Sequence, residues 1–365
     1  MKIRSWFSAS LVLPILFLLT GCPSGGGGDG GFGEAVPSNV VVSPNGSFLY
    51  VSNQGSNNVS AYTIGGAGAL TPITGSPFPA ETNPSAGTVS PNGSFLYVSN
   101  QGSNNVSAYT IGGAGALTPI TGSPFPAETN PSAGAVSPNG SFLYVSNQGS
   151  NNVSAYTIGG AGALTPITGS PFPAGTNPSA VTVSPNGSFL YVSNQGSNNV
   201  SAYTIGGAGA LTPITGSPFP AGTNPSAVTV SPNGSFLYVS NQGSNNVSAY
   251  TIGGAGALTP ITGSPFPAET NPSAGTVSPN GSFLYVSNQG SNNVSAYTIT
   301  AGTGVLVSLA SGVGNPFAAG TSPSAVTISP NGSFLYVSNQ SSNNVSAYTV
   351  TAGTGVLASI AGSPF

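Results

Sequence analysis

Residues 43–89 read SPNGSFLYVSNQGSNNVSAYTIGGAGALTPITGSPFPAETNPSAGTV, and nearly all of the chain beyond them is the same stretch written again. The Ser-Pro-Asn-Gly start returns at Ser90, Ser137, Ser184, Ser231, Ser278 and Ser329, which makes seven copies. Five of the six spacings are 47 residues and the last is 51. A fixed period of this size belongs to a propeller, a solenoid or an array of small units, because one such unit cannot bury its own apolar surface.

Within a copy, short β-prone runs alternate with turn chemistry, so each copy predicts an antiparallel meander of four strands. In the fourth copy these are residues 179–183, 189–193, 200–205 and roughly 211–215. Ser184-Pro185-Asn186-Gly187 joins the first two, with Pro presetting φ and Asn-Gly accepting the positive φ of a tight turn. The Gly- and Asn-rich run 194–199 joins the next two. The fourth strand carries Pro213, with Pro218 and Pro220 beyond it, and proline in a sheet belongs at an edge because it donates no ladder bond. That strand is placed on the outer rim.

The second strand decides between ring and stack. Phe189 and Tyr191 point to one face and Leu190 and Val192 to the other, so the sheet must be covered on both sides. A closed propeller sandwiches every sheet between two neighbours. An open stack would expose an apolar sheet at each end unless polar capping repeats covered it, and no copy reads as a cap. All 14 Tyr lie in the copies at two each, as do 14 of the 17 Phe, and they are assigned to packing between blades. The expected fold is all-β, a seven-bladed β-propeller of four-stranded antiparallel blades over residues 37–365.

Ahead of the ring, Lys2 and Arg4 precede an apolar run and then Leu19-Thr20-Gly21-Cys22. A basic start, a short apolar core and small residues before a cut predict a signal peptide over residues 1–21, too short to span a membrane. The ending resembles the bacterial lipobox, which implies lipidation of Cys22, the only cysteine, and a membrane partner through that anchor. With Pro23 next, rather than the Asp that retains such proteins at the inner membrane, the resemblance implies an outer-membrane or cell-surface address. Residues 22–36, with Gly25 to Gly28, are expected to act as a flexible tether.

Charge excludes more than it suggests. Lys2 and Arg4 are the only basic residues, so losing the leader takes the formal net charge from −3 to −5 and leaves no Lys, Arg or His. Nucleic acid is excluded as a partner, because its binding rests on cations that neutralise phosphates. There is no His or Lys for acid–base work, no free thiol, and no zinc ligand set. No cofactor is called for.

The acids expected in the ring are Glu81, Glu128 and Glu269, all at one repeat position in the link from an outer strand to the next inner strand. Other copies carry Gly175, Gly222 and Gly320 there. These glutamates, with Asn83 and Asn130 beside them, are the candidate ligand-binding residues, and calcium is the ion that such oxygen donors would take. The sixth copy departs from the rest, reading TAGTGVLVSLASGVG over residues 300–314, where a lengthened loop or bulged outer strand is expected.

Phe48-Leu49-Tyr50-Val51-Ser52-Asn53, then Asn58-Val59-Ser60-Ala61-Tyr62, then Gly75-Ser76-Pro77-Phe78 resemble the YVTN-type and lactonase-type seven-bladed propellers, and the likeness runs through residues 37–365. That family includes 6-phosphogluconolactonase-like enzymes, so the resemblance implies lactone hydrolysis as one expectation; the base that this composition leaves for it is Glu81, Glu128 or Glu269. The absence of cations and of His implies the other, a non-catalytic surface propeller that binds polysaccharide or a surface protein through repeated polar loops.

Overall fold

The computed structural model describes residues 35–310 and 314–365. The expected leader, Cys22 and most of the tether lie outside these residues. Ala35, only 3% exposed, and Val36 already belong to the ring, since the Val36 N–H donates to Asn343 Oδ1 at 3.0 Å and its carbonyl accepts from Gln54 N at 2.9 Å.

The first blade contains β1 (Pro37–Val42), β2 (Phe48–Asn53), β3 (Asn58–Ile64), β4 (Leu70–Pro72) and β5 (Phe78–Pro79). β1 to β4 form an antiparallel meander, and β5 also pairs with β3. The blade is therefore four strands deep with its outer strand in two pieces. Six further sheets repeat it, and no helix occurs among the described residues. In the fourth copy the strands are Pro178–Val183, Phe189–Asn194, Asn199–Ile205 and Leu211–Pro213, close to expectation. The additional Phe219–Pro220 was not foreseen. Two residues, one of them proline and preceded by another, carry little strand signal, and their pairing is visible only once the third strand is in place to receive them.

The Ser-Pro-Asn-Gly turn works as a small knot of hydrogen bonds. Gly46 N donates to Ser43 O at 2.8 Å, and Asn45 Oδ1 accepts from both Ser43 Oγ at 2.7 Å and Ser47 N at 3.0 Å. Ser43 Oγ in turn accepts from Phe48 N at 2.9 Å. Only the glycine takes positive φ, at 72°, so Asn45 serves through its side chain and not through its backbone. Asparagine does take the left-handed conformation in the next turn, at Asn57 with φ 56°, where its short polar side chain tolerates it.

Both faces of each second strand are buried, as the alternation predicts. Phe189 and Tyr191 pack with Leu237, Val239 and Tyr250 of the fifth blade. Leu190 and Val192 pack with Tyr144, Val153 and Ala155 of the third. Leu190, Val192, Val200 and Ala202 are fully buried, and each larger apolar side chain so buried contributes on the order of 1.5–3 kcal/mol. Closure uses the same contact: Val40, Leu49, Val51 and Tyr62 of the first blade meet Tyr336, Val345, Ala347 and Ile360 of the seventh.

Hydrogen bonds repeat the same cycle. Tyr50, Tyr97, Tyr144, Tyr191, Tyr238, Tyr285 and Tyr336 each donate at 2.9 Å to a glycine carbonyl of the next blade, respectively Gly115, Gly162, Gly209, Gly256, Gly304, Gly355 and, across the closure, Gly68. That glycine is required twice over. Gly256 has φ 81°, and a β-carbon there would lie 2.5 Å from the Phe189 ring. On the inner strands, Ser38 Oγ donates to Pro84 O at 2.7 Å, and the cycle of such bonds ends with Ser324 Oγ on Pro37 O at 2.9 Å. At the chain end, Phe365 exchanges two 2.8 Å backbone bonds with Val345, taking the place that the second outer piece holds in other blades.

Two outcomes follow from the buried tyrosines. Tyr191→Phe leaves the buried Gly256 carbonyl without its donor and is expected to cost about 1–3 kcal/mol in urea unfolding; an unchanged unfolding midpoint would show that the bond carries no stability. Burial also raises the hydroxyl pKa of Tyr50, Tyr191 and their equivalents from 10.0, so above that pH the unfolded chain releases protons that the folded ring retains. Stability from this source is complete below pH 10 and falls as pH rises further. The urea midpoint should stay level up to about pH 9 and then drop, whereas a level midpoint through pH 11 would contradict it.

Candidate functional site

An antiparallel meander sends its turns alternately to opposite faces. The Ser-Pro-Asn-Gly turns and the Gly-Gly-Ala-Gly loops share one face of the ring. The Asn-Gln-Gly-Ser-Asn-Asn loops and the links that carry glutamate share the other. All candidate binding residues named from the sequence therefore lie on one face, together with a set of groups that the sequence did not single out.

A chain of glutamine amides runs from blade to blade on that face. Gln54 Nε2 donates to Gln101 Oε1 at 3.4 Å, Gln101 to Gln148 at 3.1 Å, Gln148 to Gln195 at 3.3 Å, Gln195 to Gln242 at 3.4 Å, Gln242 to Gln289 at 3.0 Å and Gln289 to Gln340 at 3.3 Å. Each glutamine is held by its own backbone, as where Gln101 N donates to Asn83 O at 2.8 Å. The run of amides is neutral and offers donors and acceptors.

The glutamates sit further out. Glu81 and Glu128 are half-buried and Glu269 is exposed. Each lies near the third-strand tyrosine of the following blade: the carboxylates of Glu81, Glu128 and Glu269 add to the raised pKa of Tyr109, Tyr156 and Tyr297, respectively. Burial is the main cause of those shifts, and a hydrogen bond from a neighbouring serine opposes it; Tyr156 and Tyr297 are pushed up to about 12. These hydroxyls remain protonated donors at neutral pH. Tyr109 and Tyr156 donate at 2.6 Å to Pro79 O and Pro126 O, and Tyr297 donates at 2.8 Å to Pro267 O, so they also tie each blade to the outer strand of the one before.

Behind the tyrosine, Asn100 Nδ2 donates to Asn105 Oδ1 at 2.8 Å and to Ser107 Oγ at 2.9 Å. Both of its N–H groups are thereby spent, and its buried Oδ1 has no partner. Asn147 and Asn288 repeat this arrangement in the other two glutamate-bearing links. Where the link carries glycine the accounting differs, because Gly175 N and Gly222 N donate to Asn194 Oδ1 and Asn241 Oδ1, each at 3.1 Å. At the third such link Gly320 N turns to Ser346 Oγ at 3.2 Å, and Asn339 Oδ1 is left unpartnered.

Asn83 and Asn130 take backbone roles. Both are exposed with φ 54°, and their N–H groups donate at 2.9 Å to Asn57 Oδ1 and Asn104 Oδ1. The structure sets each glutamate near the third-strand tyrosine of the next blade, in the same junction as a buried asparagine. One sequence signal marked these positions: the link reads AETNPSAG where it carries glutamate and AGTNPSAV in the fourth and fifth copies, so residues six apart change together.

One of the three glutamates stands apart. Glu269 borders a groove of about 410 Å³ lined by Phe266, Pro267, Ser295, Tyr297, Ser308, Leu309 and Asn315. Leu309 and Asn315 belong to the segment in which the sixth copy departs from the others; part of that segment, residues 311–313, lies outside the described residues. Asn315 replaces the serine of other copies and is anchored by Oδ1 accepting Ala296 N at 2.9 Å and by Nδ2 donating to Ser308 Oγ and Leu309 O, both at 3.0 Å. The departure from repeat identity thus forms one wall of a glutamate-bearing groove.

Among the described residues no three acidic, His or Cys side chains converge as a metal cluster, and none is Lys, Arg or His. No curated protein matches the chain. Its solved likenesses carry different chemistries: the Pseudomonas aeruginosa periplasmic gluconolactonase is 21% identical over 85% of this chain and 94% of that one with a TM-score of 0.72. The Kuenenia stuttgartiensis hydrazine synthase is 23% identical over 87% and 96%, at 0.68. The Staphylococcus aureus virginiamycin B lyase is 16% identical over 86% and 95%, at 0.61. At these identities the likeness speaks for the fold alone. The family model described as "Lactonase, 7-bladed beta-propeller" matches residues 27–125, 116–218, 210–319 and 264–364, overlapping as near-identical blades allow, and the chain belongs to that family.

Proposed function

We propose that this lactonase-like propeller is a binding protein for an uncharged, hydroxyl-rich ligand, a neutral sugar or its lactone, taken up in the groove beside Glu269. The observation that carries this reading is the groove itself, where the departure of the sixth copy from the repeat meets a carboxylate, three hydroxyls, an amide and the Phe266 ring. Carboxylate and amide oxygens accept from sugar hydroxyls, and an aromatic ring covers the apolar face of a pyranose. A phosphorylated ligand finds no cation anywhere among the described residues. Anchored through Cys22, as the leader predicts, the ring would meet neighbouring envelope polysaccharide.

A second reading, lactone hydrolysis, is favoured by the family match. Glu269 would take a proton from water as it attacks the lactone carbonyl, and the ring oxygen would leave as an alcohol after reprotonation. Against it stands the lack of any Lys, Arg or His among the described residues to meet the developing oxyanion, whose stabilisation is the term on which acyl transfer chiefly depends.

Purified ring titrated calorimetrically with neutral oligosaccharides and with gluconolactone decides between these readings. Binding is expected, with Glu269→Gln weakening it about tenfold through loss of one charge-assisted hydrogen bond, and lactone opening should proceed no faster than in buffer. Turnover that Glu269→Gln abolishes would establish the hydrolase instead, and failure to bind any neutral sugar would overturn the first reading.

A further inference from the structure

We propose that the three glutamate-bearing links each hold a divalent cation of the calcium class, between the carboxylate of Glu81, Glu128 or Glu269 and the unpartnered amide oxygen of Asn100, Asn147 or Asn288 in the following blade. This goes beyond the sugar reading and does not depend on it.

The two kinds of link satisfy the same asparagine differently. In the Gly175 link, Asn194 spends both N–H groups on Asn199 Oδ1 and Ser201 Oγ, and its Oδ1 accepts the Gly175 N–H at 3.1 Å. The oxygen is therefore aimed at the link residue. A β-carbon on Gly175 would lie 2.7 Å from the Asn194 amide carbon and 2.5 Å from Ser197 Oγ, so a residue with a side chain cannot occupy that place unless the backbone withdraws. At the glutamate links the N–H is gone from the amide oxygen, and Asn100, Asn147 and Asn288, all fully buried, keep an acceptor with no donor. Glutamate at the link also brings a carboxylate, which is a second acceptor. Asn339 and Asn53 also lack a donor with no glutamate among the described residues of their links; at the three glutamate links an unpartnered amide oxygen and a carboxylate belong to one junction.

Two neighbouring acceptors are reconciled by a positive charge. The described residues contain no Lys, Arg or His, so none of these carboxylates has a countercharge in the ring. A hard cation that takes carboxylate, amide and backbone carbonyl oxygens supplies it. With one carboxylate per site and no convergent acidic cluster, the affinity belongs to the weak extracellular range, about 10⁻⁴–10⁻³ M. Each cation would bridge two consecutive blades and so favour the closed ring over the unfolded chain.

The test is thermal unfolding of the whole chain in about 10 mM calcium chloride against sodium chloride of equal ionic strength, with calcium uptake by equilibrium dialysis. Calcium should raise Tm by roughly 2 °C or more. The triple variant Glu81→Gln, Glu128→Gln, Glu269→Gln should lose both the rise and three bound ions per chain. A second triple variant, with Gly at the same positions, rebuilds the Gly175 type of link and should fold without calcium and ignore it. Absence of uptake and of a Tm rise in the parent chain, or a rise that persists in a folded Gln variant, would overturn the proposal. Neither result bears on sugar binding measured in chelator.

Discussion

The structure depends on a sheet that is apolar on both faces and has nothing but its own copies to cover it. Leu49 and Val51 on one side and Tyr50 on the other are buried to within 1% of completely, and among the described residues it is the adjoining blades that bury them. A two-faced sheet passes its requirement to the next sheet, and the series ends only where the last meets the first. The tyrosine hydroxyl makes the contact directional. Hydrophobic area alone would let two blades slide against each other, whereas a buried O–H must find the glycine carbonyl opposite or lose a hydrogen bond in a dry interior. The bond from Tyr336 to Gly68 has the same 2.9 Å length as the other six, so closure needs no device of its own.

Stability assembled this way makes almost no use of charge. The described ring contains three carboxylates and no cation, so salt bridges contribute nothing within it and polar satisfaction falls to Ser, Asn, Gln, Thr and the backbone. The consequence for function is direct. A surface made of amides and hydroxyls can recognise neutral hydroxylated ligands, and it has little with which to hold a phosphate or to stabilise a developing anion. Membership of the lactonase family thus fixes the architecture and leaves the chemistry to the few places where the copies differ.

Much of this was legible in the sequence because repetition multiplies weak signals. One Ser-Pro-Asn-Gly is a turn motif, and seven at a constant spacing are an architecture. The face assignment of Phe189 and Tyr191 against Leu190 and Val192 followed from alternation alone, and the core bears it out. Phe219–Pro220 escaped because a two-residue strand has no pattern of its own. The glutamine chain escaped because Gln54 and Gln101 meet only after the ring brings residues 47 apart in sequence side by side. At the glutamate links the carboxylates are evident in the sequence but their neighbours are not, since Tyr109 and Asn100 come from the following blade, where they stand in packing and turn positions. Asn83 and Asn130, adjacent in sequence, proved to hold the backbone.

The central claim is that seven copies close because each needs two neighbours, and the most direct measurement is to remove one. Deleting residues 137–183 leaves every sequence junction as it was and asks six blades to span the circle, so that the angle per blade rises from about 51° to 60°. Close-packed interfaces accommodate such misfit poorly, at roughly 1–3 kcal/mol per strained site. Melting temperature and mass by light scattering should show either a large loss of stability, well beyond one copy's share, or association between chains that restores the missing neighbour. A six-copy monomer that melts only incrementally lower would contradict the account, because stability would then be additive in copies as in an open array.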